Sequence, residues 1–478
     1  MRKGSKKNKT MTDTIAAIST PYGRGGVALI RISGAEAIEI AGRVFCPRSG
    51  KKLSDIRGGR TTYGDICQPI VDERDNYTVG RALDDGIAAI YRAPHSYTGE
   101  DTVEITCHGG ILLTQQVLSA ILAAGARPAE AGEFTRRAFV AGKLSLTEAE
   151  AVINLIDAGS EEQLRLARSH TAGVLTRALE DFYQRLLSLV STAYVYADYP
   201  DEDLTDLTPE EMISALTILI GEMQALGMTW RAGHAICDGI STVLAGRPNT
   251  GKSSILNRLL GRDRAIVSNI AGTTRDTIEE KVQVGKVTLR LTDTAGLRES
   301  DDPIEQIGVE RSFAALDAAE LILVVIDSAS TLTEEDRELL EKLAGYPVPK
   351  IALLNKSDLV GAPVADELAS YSFHAVCPVS AVTGEGMDEL KSTIEKLFIE
   401  GEIDYDTTAV LANARQKNAL DQSIKAACRA LYALESGFTP DVAGMDIEDA
   451  MASLAEVDGR AVSADIVDAI FHRFCVGK

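Results

Sequence analysis

A chain of 478 residues is too long for one ordinary hydrophobic core and predicts roughly two to four domains. Hydrophobic residues make up 45% and charged residues 25%, the balance of a soluble globular protein, and no apolar run of membrane-spanning length is evident. The net charge of −21 excludes a protein that binds nucleic acid through a spread-out positive surface.

The first ten residues, MRKGSKKNKT, are basic and precede no apolar segment of signal-peptide character. We interpret residues 1–10 as a disordered tail or an upstream start, with Met11 a candidate first residue, and we expect a cytoplasmic protein. The seven cysteines contain no CxxC pair, so neither a disulfide framework nor a zinc site is indicated.

Three regions with different sequence patterns follow in chain order. Residues 11–133 alternate short β-rich runs (26–32, 86–91 and 102–106) with glycine-rich turns and one helical stretch at 111–124, which predicts a compact α+β domain. Residues 134–237 show helical periodicity, with apolar stripes at 144–156 and 175–196. Residues 238–403 alternate strand-like and helical segments, as in a mostly parallel α/β sheet. Because residues 404–478 return to helix, the α/β domain is predicted to be inserted in a split helical domain.

A phosphate-binding loop opens this inserted domain. Gly246, Gly251, Lys252 and Ser253 form a GxxxxGKS pattern that follows an apolar strand and precedes a helical run. Backbone N–H groups at the start of that helix can surround phosphates, the lysine can reach the β- and γ-phosphates, and the serine hydroxyl can bind Mg²⁺.

Two further strand ends carry residues that suit a guanine nucleotide. Asp293 begins a DTAG segment whose carboxylate can hold the Mg²⁺ shell and whose Gly296 can offer its N–H to a γ-phosphate. The NKSD segment ends in Asp358, which can accept both N1–H and N2–H₂ of guanine, a pairing that adenine cannot make. Ser380 and Ala381, after another strand, complete the predicted base pocket. Together these motifs predict a domain that binds and hydrolyses GTP.

The water-orienting residue differs from that of Ras-like GTPases, in which a glutamine follows DTAG. Leu297 holds that position here and cannot orient water. The polar segment 268–276, SNIAGTTRD, has the composition of a switch loop whose threonines can reach Mg²⁺.

The motifs GRPNTGKSS, IAGTTRD, DTAGLRES and FCVGK, with TPYGRGGVALIRISG and AGEFTRRAFVAGKLSLTEAEA near the front, resemble the MnmE (TrmE) family of tRNA-modification GTPases. The resemblance runs from about Met11 to Lys478. It implies an N-terminal folate-binding domain, a split all-α domain and an inserted P-loop GTPase domain (G domain), which we place at 11–133, 134–237 with 404–478, and 238–403.

The resemblance also implies a function. Family members form homodimers and act with the FAD-dependent protein MnmG to place an aminomethyl or carboxymethylaminomethyl group on carbon 5 of the wobble uridine, position 34, of certain tRNAs. A 5,10-methylene-tetrahydrofolate supplies the carbon, and 5-formyl-tetrahydrofolate is a related ligand. The acidic composition leads us to expect that tRNA binds mostly through the partner, and we expect no membrane association.

Carried over onto this sequence, the resemblance assigns site residues in four groups. Mg²⁺ falls on Ser253 and Thr274, and K⁺ on Asn249, Ser268, Ile270 and Thr273. Glu305 is assigned the orientation of the hydrolytic water. Folate binding is assigned to Arg31, Glu104, Lys143 and Lys478. The complete GTP-binding set is Asn249, Thr250, Gly251, Lys252, Ser253, Ser254, Ser268, Thr273, Thr274, Asp293, Thr294, Ala295, Gly296, Asn355, Lys356, Asp358, Ser380 and Ala381.

Two residues stay open as functional candidates. Cys475 lies in the FCVGK ending, which permits a role near the folate site, although a packed free cysteine is the commoner fate. His108 has no second metal ligand nearby in the sequence.

Two other functions remain as alternatives. A ribosome-assembly switch like Era would carry a basic KH module with a GxxG loop after the G domain, whereas residues 404–478 read as acidic amphipathic helix. A folate-dependent aminomethyltransferase with a regulatory G domain would retain folate on residues 14–133 alone.

Overall fold

The computed structural model describes residues 13–71, 77–198, 208–262, 280–293, 315–359, 364–399, 401, 403–472 and 474–478. By its contacts the chain forms two compact units, Met1–Ile153 with Asp458–Lys478, and Asn154–Val457. Residues 134–153 and 458–478, which the sequence groups with the helical domain, therefore belong to the first unit. The sequence-based boundaries at 133, 237 and 403 stay predictions.

The regular elements divide into two sheets and a larger set of helices. The strands are β1 (Ile15–Ile18), β2 (Val27–Ser33), β3 (Phe45–Pro47), β4 (Arg60–Val71), β5 (Tyr77–Tyr91), β6 (Thr102–His108), β7 (Arg127–Pro128), β8 (Ile240–Ala245), β9 (Glu280–Val284), β10 (Val287–Asp293), β11 (Leu321–Asp327), β12 (Lys350–Asn355) and β13 (Ala375–Pro378). The helices are α1 (Ala37–Val44), α2 (Ile111–Ala123), α3 (Glu133–Val140), α4 (Leu146–Asp157), α5 (Glu161–Thr171), α6 (Val174–Asp198), α7 (Pro209–Met228), α8 (Trp230–Cys237), α9 (Lys252–Arg262), α10 (Glu334–Ala344), α11 (Val364–Leu368), α12 (Met387–Phe398), α13 (Ala414–Glu435), α14 (Pro440–Asp458) and α15 (Ala464–Phe471).

The first unit is built on a sheet in the order β3-β4-β5-β6-β2-β1-β7. Helices α1 and α2 cover one face, where alternate residues of β2 such as Ile30 and Ile32 are buried. Arg31 therefore projects to the opposite face, and it lies directly across from Glu104 of β6 in the antiparallel register. The sheet pairing thus brings together two of the residues predicted for folate.

One part of this sheet was not predicted from the sequence. Strands β4 and β5 pair along a long ladder from Arg60 with Ile90 to Val71 with Tyr77, whereas the sequence indicated a strand only at 86–91. The first part of β5 carries Asp84, Asp85 and two glycines and is largely solvent-facing, so it lacks the alternating apolar pattern on which strand prediction depends.

The C-terminal segment completes the first unit. Phe471 and Phe474, at and just after the end of α15, are buried with Leu146 and Ala149 of α4. Val476 then forms an isolated antiparallel bridge with Ala131. The last residues of the chain are therefore held against the N-terminal sheet domain.

In the second unit, α6, α7, α13 and α14 share one hydrophobic core. The helical stretch Pro209–Cys237 is long and apolar enough to cross a membrane by length and composition alone. Met212, Leu216, Leu219 and Met223 of this stretch are fully buried in the helical core, which is the pattern of a core helix in a folded domain.

The same unit contains a sheet in the order β13-β12-β11-β8-β10-β9, in which β9 is antiparallel to β10 and the other pairs are parallel. Buried residues on both faces form two apolar clusters, one of which includes Ile255 of α9 and Leu390 of α12. The predicted architecture, an α+β domain, a helical domain and a mostly parallel α/β domain, is confirmed.

Candidate nucleotide-binding site

The predicted nucleotide motifs lie at one edge of the second sheet. Strands β8, β10, β12 and β13 are parallel, so their carboxyl ends share an edge, which is where open α/β sheets bind ligands. The phosphate loop follows β8, Asp293 is the last residue of β10, Asn355 is the last residue of β12, and Ser380 comes shortly after β13. Backbone register places Asp293 opposite Leu244, two residues before the loop begins.

The phosphate loop depends on glycine at two tight points. Gly246 has φ of 151°, and a Cβ there would lie 2.5 Å from the carbonyl oxygen of Val325. Gly251 has φ of 95°, and a Cβ there would lie 2.2 Å from Nδ2 of Asn355. The loop leads into α9 at Lys252, so its N–H groups and the helix N-terminus favour an anion.

Side chains of the loop are arranged around its own carbonyl groups. The Lys252 Nζ lies 2.6 Å from the carbonyl oxygen of Gly246 and 3.1 Å from that of Arg247. Thr250 is fully buried and its hydroxyl donates to the Arg247 carbonyl. Ser253, on the first turn of α9, is exposed. Its hydroxyl is therefore accessible to a metal ion.

Asn355 joins three of the predicted segments. Its Nδ2 donates to the carbonyl oxygen of Thr250 at 2.8 Å, and its Oδ1 accepts from the backbone N–H of Ala381 at 3.1 Å. The side chain is 2% exposed, and its bond to Thr250 is buried and therefore shielded from water. One amide thus ties the phosphate loop to the segment predicted to hold the base.

The base-binding segment has two further supports. Lys356 adopts a left-handed φ of 68°, and its ammonium contacts the Asp327 carboxylate at the end of β11. Burial raises the pKa of Asp327, but the Lys356 hydrogen bond and a backbone N–H outweigh it and hold the pKa below its usual value. Asp358 is exposed, with its carboxylate accessible to a base.

Sequence reasoning missed two residues that shape this site. Asp327 ends a strand in the same way as Asp293, so its position at a strand end was a usable signal. Arg247, within the phosphate loop, forms an ion pair with buried Asp336 of α10, with Nε and Oδ2 3.2 Å apart. Only the fold brings Asp336 to the loop, and the sequence carries no sign of that contact.

Several predicted residues lie outside the described part of the chain. These are Ser268, Ile270, Thr273, Thr274, Thr294, Ala295, Gly296 and Glu305.

A second group of predicted residues gathers in the first unit. Nε and Nη2 of Arg31 both lie 2.8 Å from Oε1 of Glu104. The same guanidinium lies over the rings of Tyr97 and Phe134, 5.3 and 5.6 Å from their centroids. The backbone N–H of Phe134 donates to the carbonyl oxygen of Lys478. Arg31, Glu104 and the end of the chain are thereby grouped around one aromatic pair.

Lys143 approaches the same neighbourhood through a loop. Its Nζ donates to the carbonyl oxygen of Pro94 at 2.8 Å, three residues before Tyr97. The Tyr97 hydroxyl in turn hydrogen-bonds the hydroxyl of Thr135 on α3.

A buried ion network supports this neighbourhood and was not predicted. Arg137, 2% exposed, binds Glu100 and Glu133, and Arg127 binds the Glu133 carboxylate through two nitrogens. Burial raises the pKa of Glu133, but hydrogen bonds from Arg127, the Glu130 N–H and Arg137 outweigh it and lower the pKa to about 2. The network fixes α3, which carries Phe134.

The two open candidates differ in their surroundings. Cys475 is exposed. His108 has two carboxylates nearby, Asp84 and Asp85, and its Nδ1 lies 2.8 Å from Asp84. Asp84 also accepts a hydrogen bond from the backbone N–H of His108. We therefore interpret the cluster as an ion pair whose members hydrogen-bond each other.

Comparison with known proteins covers nearly the whole chain. The family profile described as "GTP-binding protein TrmE N-terminus" matches residues 14–143, and that described as "MnmE helical domain" matches residues 146–475. The tRNA modification GTPase MnmE of Moorella thermoacetica is 42% identical over 473 residues, which is 98% of this chain and 100% of that protein. The protein of the same name from Symbiobacterium thermophilum is 42% identical over 467 residues, 98% of this chain and 99% of its own length.

Among solved structures, Era of Aquifex aeolicus bound to GDP·AlF4− is 30% identical, covering 39% of this chain and 65% of Era, with a TM-score of 0.29. A superposition at that score carries no weight for function. The full-length relatives and both profiles establish the family. This chain belongs to the MnmE family of tRNA modification GTPases and is an enzyme that binds GTP with Mg²⁺ and hydrolyses GTP.

Proposed function

We propose that this protein is a potassium-dependent GTPase that acts with FAD-dependent MnmG on the wobble uridine, position 34, of certain tRNAs. The product is uridine carrying an aminomethyl or carboxymethylaminomethyl group at carbon 5, with the carbon drawn from 5,10-methylene-tetrahydrofolate. Family membership supports the tRNA substrate. One chain contains both a nucleotide site and a separate cationic and aromatic cluster. This observation supports the proposed coupling of GTP hydrolysis to folate-dependent tRNA modification.

The Arg31 cluster has the chemistry of a folate site. The pterin ring presents an amide edge that a carboxylate such as Glu104 can accept from, and Tyr97 and Phe134 offer flat apolar surfaces. The carboxylate-rich tail of a folate needs cations, which Lys143 and Lys478 can supply. Arg31 and Glu104 are each less than one-fifth exposed, so their charges act in a partly dry environment.

The end of the chain is built into this proposed site. Ser19 donates from its hydroxyl to the carbonyl oxygen of Gly477 at 3.0 Å. Gly477 has φ of 103°, and a Cβ there would lie 2.2 Å from the carbonyl oxygen of Ile18. Only glycine fits so close to the strand. Lys478 is thus fixed in position, and neighbouring Cys475 is a candidate for a functional role.

In the G domain we propose that Mg²⁺ binds Ser253 and Thr274, and that K⁺ binds Asn249 with Ser268, Ile270 and Thr273. Asn249 is exposed in the phosphate loop at φ of 66°, so its amide oxygen is available as a hard ligand. Glu305 is proposed to orient the attacking water. Within the described residues, Lys252 can bind the phosphates, Asp358 can select guanine, and Asn355 holds the two binding segments together.

We further propose a cytoplasmic homodimer that contacts tRNA mostly through MnmG and does not associate with membranes. A net charge of −21 opposes tight phosphate binding by this chain alone. Because family membership points to tRNA modification, we do not propose a ribosome-assembly switch.

Mass analysis of wobble uridines in tRNA tests this proposal in cells that lack the protein. Complementation with wild type should restore the modified uridine, whereas Asn355→Ala, which damages the nucleotide site, and Glu104→Gln, which damages the proposed folate site, should not. Glu130→Gln, an exposed carboxylate near the same cluster, is the matched control and should restore it. Fully modified wobble uridines in cells without the protein would refute the proposal.

A further inference from the structure

A cavity of about 710 Å³ lies in the second unit, and none of its lining residues belongs to either site described above. Its lining residues come from the end of α7, from α8 and α13, from the end of α12 and from the residues just before β11 and β12. Its walls include Trp230, Phe398 and Ile424. This volume and this apolar lining are typical of small-molecule sites.

Trp230, the single tryptophan of the chain, lines this cavity and does not use its hydrogen-bond donor. One face of its ring stacks on His234, with the ring centroids 4.9 Å apart. Its Nε1–H is buried and has no hydrogen-bond partner among the described residues. Because buried N–H groups are nearly always paired, this group calls for an acceptor.

The charges around the cavity do not cancel. His234 faces two carboxylates, Asp238 at 3.3 Å and Glu320 at 3.0 Å, and Glu320 also lies 3.9 Å from Arg290, so these four charges balance. Lys417 is balanced by Asp421 on the next turn of α13.

Two other cations line the cavity, Arg231 and Lys425. Neither has a carboxylate partner within the part of the chain that the structure describes, and both are exposed. The Arg231 guanidinium lies 5.3 Å from the Phe398 ring centroid, over the apolar wall. The cavity therefore combines aromatic walls, an unpaired N–H donor and two uncompensated cations.

We propose that this cavity binds a small aromatic acid, whose ring system packs against Trp230, Phe398 and Ile424 and whose anionic group pairs with Arg231 and Lys425. An acceptor atom on the ligand receives the Trp230 N–H. A simple inorganic anion would leave the apolar walls unused, and a neutral hydrocarbon would leave the N–H and the cations unpaired. A ligand in this position contacts elements that precede, belong to and follow the inserted G domain.

The probe 8-anilinonaphthalene-1-sulfonate, an aromatic anion, tests this site in the full-length protein. Trp230 is the single tryptophan and lines the cavity, so a probe bound there quenches its fluorescence by energy transfer, and the double variant below distinguishes this site from apolar patches within transfer range. We expect saturable quenching. The uncharged analogue N-phenyl-1-naphthylamine should bind at least about tenfold more weakly, since it lacks the charge contacts.

The double variant Arg231→Gln/Lys425→Gln should weaken binding of the sulfonate probe about tenfold and leave the neutral probe unaffected. Both side chains are exposed, so the fold should survive, which thermal unfolding can verify. Lys396→Gln, an exposed cation on α12 outside the cavity, is the matched control and should bind the probe as wild type does. Unsaturable quenching, equal binding of the two probes, or an unaffected double variant would each overturn the proposal.

Discussion

Nδ2 of Asn355 donates a hydrogen bond to the carbonyl oxygen of Thr250 at 2.8 Å, across 105 residues of sequence. The partner atom on the same amide, Oδ1, accepts from the N–H of Ala381. Gly251 passes so close to Nδ2 that no side chain would fit there. The conformation of the loop and the position of the Asn355 amide therefore depend on each other. Phosphate binding and base binding are therefore mechanically linked through one buried side chain.

Asn355→Ala should weaken GTP binding by roughly 5- to 100-fold, because the buried Thr250 carbonyl and the partly buried Ala381 N–H both lose their partner, at a combined cost in affinity of about 1–3 kcal/mol. Titration with a fluorescent GTP analogue measures this. Asn418→Ala, an exposed asparagine on α13, is the control and should bind as wild type does. Wild-type affinity in Asn355→Ala would show that the bridge does not organise the site.

Asp358→Asn should weaken GTP binding by at least about 10²-fold and improve binding of xanthosine triphosphate. The amide N–H₂ then faces the carbonyl that xanthine carries in place of the guanine amino group. Competition titrations with both nucleotides measure the switch, and Asp366→Asn, exposed on α11, serves as the matched control. An unchanged preference for GTP would remove Asp358 from the base pocket.

Arg31→Glu should reduce the binding free energy of 5-formyl-tetrahydrofolate by about 2–5 kcal/mol, since it replaces a paired charge with one that repels Glu104. Isothermal calorimetry on the intact protein measures this. Arg31→Gln removes the positive charge without introducing the repulsion and should show a smaller loss, while the exposed Arg57→Glu should show none. A wild-type protein that binds no 5-formyl-tetrahydrofolate would refute the site itself.

Potassium and Glu305 can be tested through the rate of hydrolysis. Leu297 cannot orient water, so Glu305→Ala should retain GTP affinity and lose roughly 10²- to 10⁴-fold in single-turnover rate. The wild type should hydrolyse GTP faster in KCl than in NaCl, because the smaller Na⁺ fits the same oxygens poorly. Asn249→Ala should hydrolyse GTP at the same rate in both salts. Glu338→Ala, an exposed carboxylate on α10, is the control. Equal wild-type rates in the two salts would argue against a potassium site.

The strand-end motifs were predictable because each is a short local pattern whose position follows from parallel topology. The segments that supply Lys252, Asn355 and Ala381 could be placed at one sheet edge from their order alone. Contacts between distant segments were not predictable in this way. Arg247 with Asp336 and Arg137 with Glu100 involve ordinary charged residues, and nothing local distinguishes them from exposed ones.

The same difference applies to the first unit. The resemblance named Arg31 and Glu104, but bare sequence could not pair them, because the pairing is set by the register of β2 against β6. Tyr97 and Phe134, which flank Arg31, were missed because aromatic residues near turns carry no periodic signal.

His234 makes the stability of the second unit depend on pH. Burial alone lowers its pKa, but hydrogen bonds to Asp238, at the end of the same helix, and to Glu320, before β11, outweigh burial and raise the pKa to about 9. Glu320 also accepts from the backbone N–H of Ser241 and lies 3.9 Å from Arg290 of β10. The protonated imidazole is therefore a charged link between α8 and the strands of the G domain.

A group whose pKa is raised on folding stabilises the protein fully below its unfolded pKa and loses that contribution as pH rises through the folded value. The His234 contribution should thus be complete below about pH 6.5 and disappear as the pH passes 9. Urea unfolding between these limits should show wild type losing stability relative to His234→Gln, because other titrating groups are common to both proteins. Above pH 9 the difference between the two proteins should stop changing with pH. Parallel curves across the window would mean that the imidazole stays neutral and the ion pairs with Asp238 and Glu320 do not form.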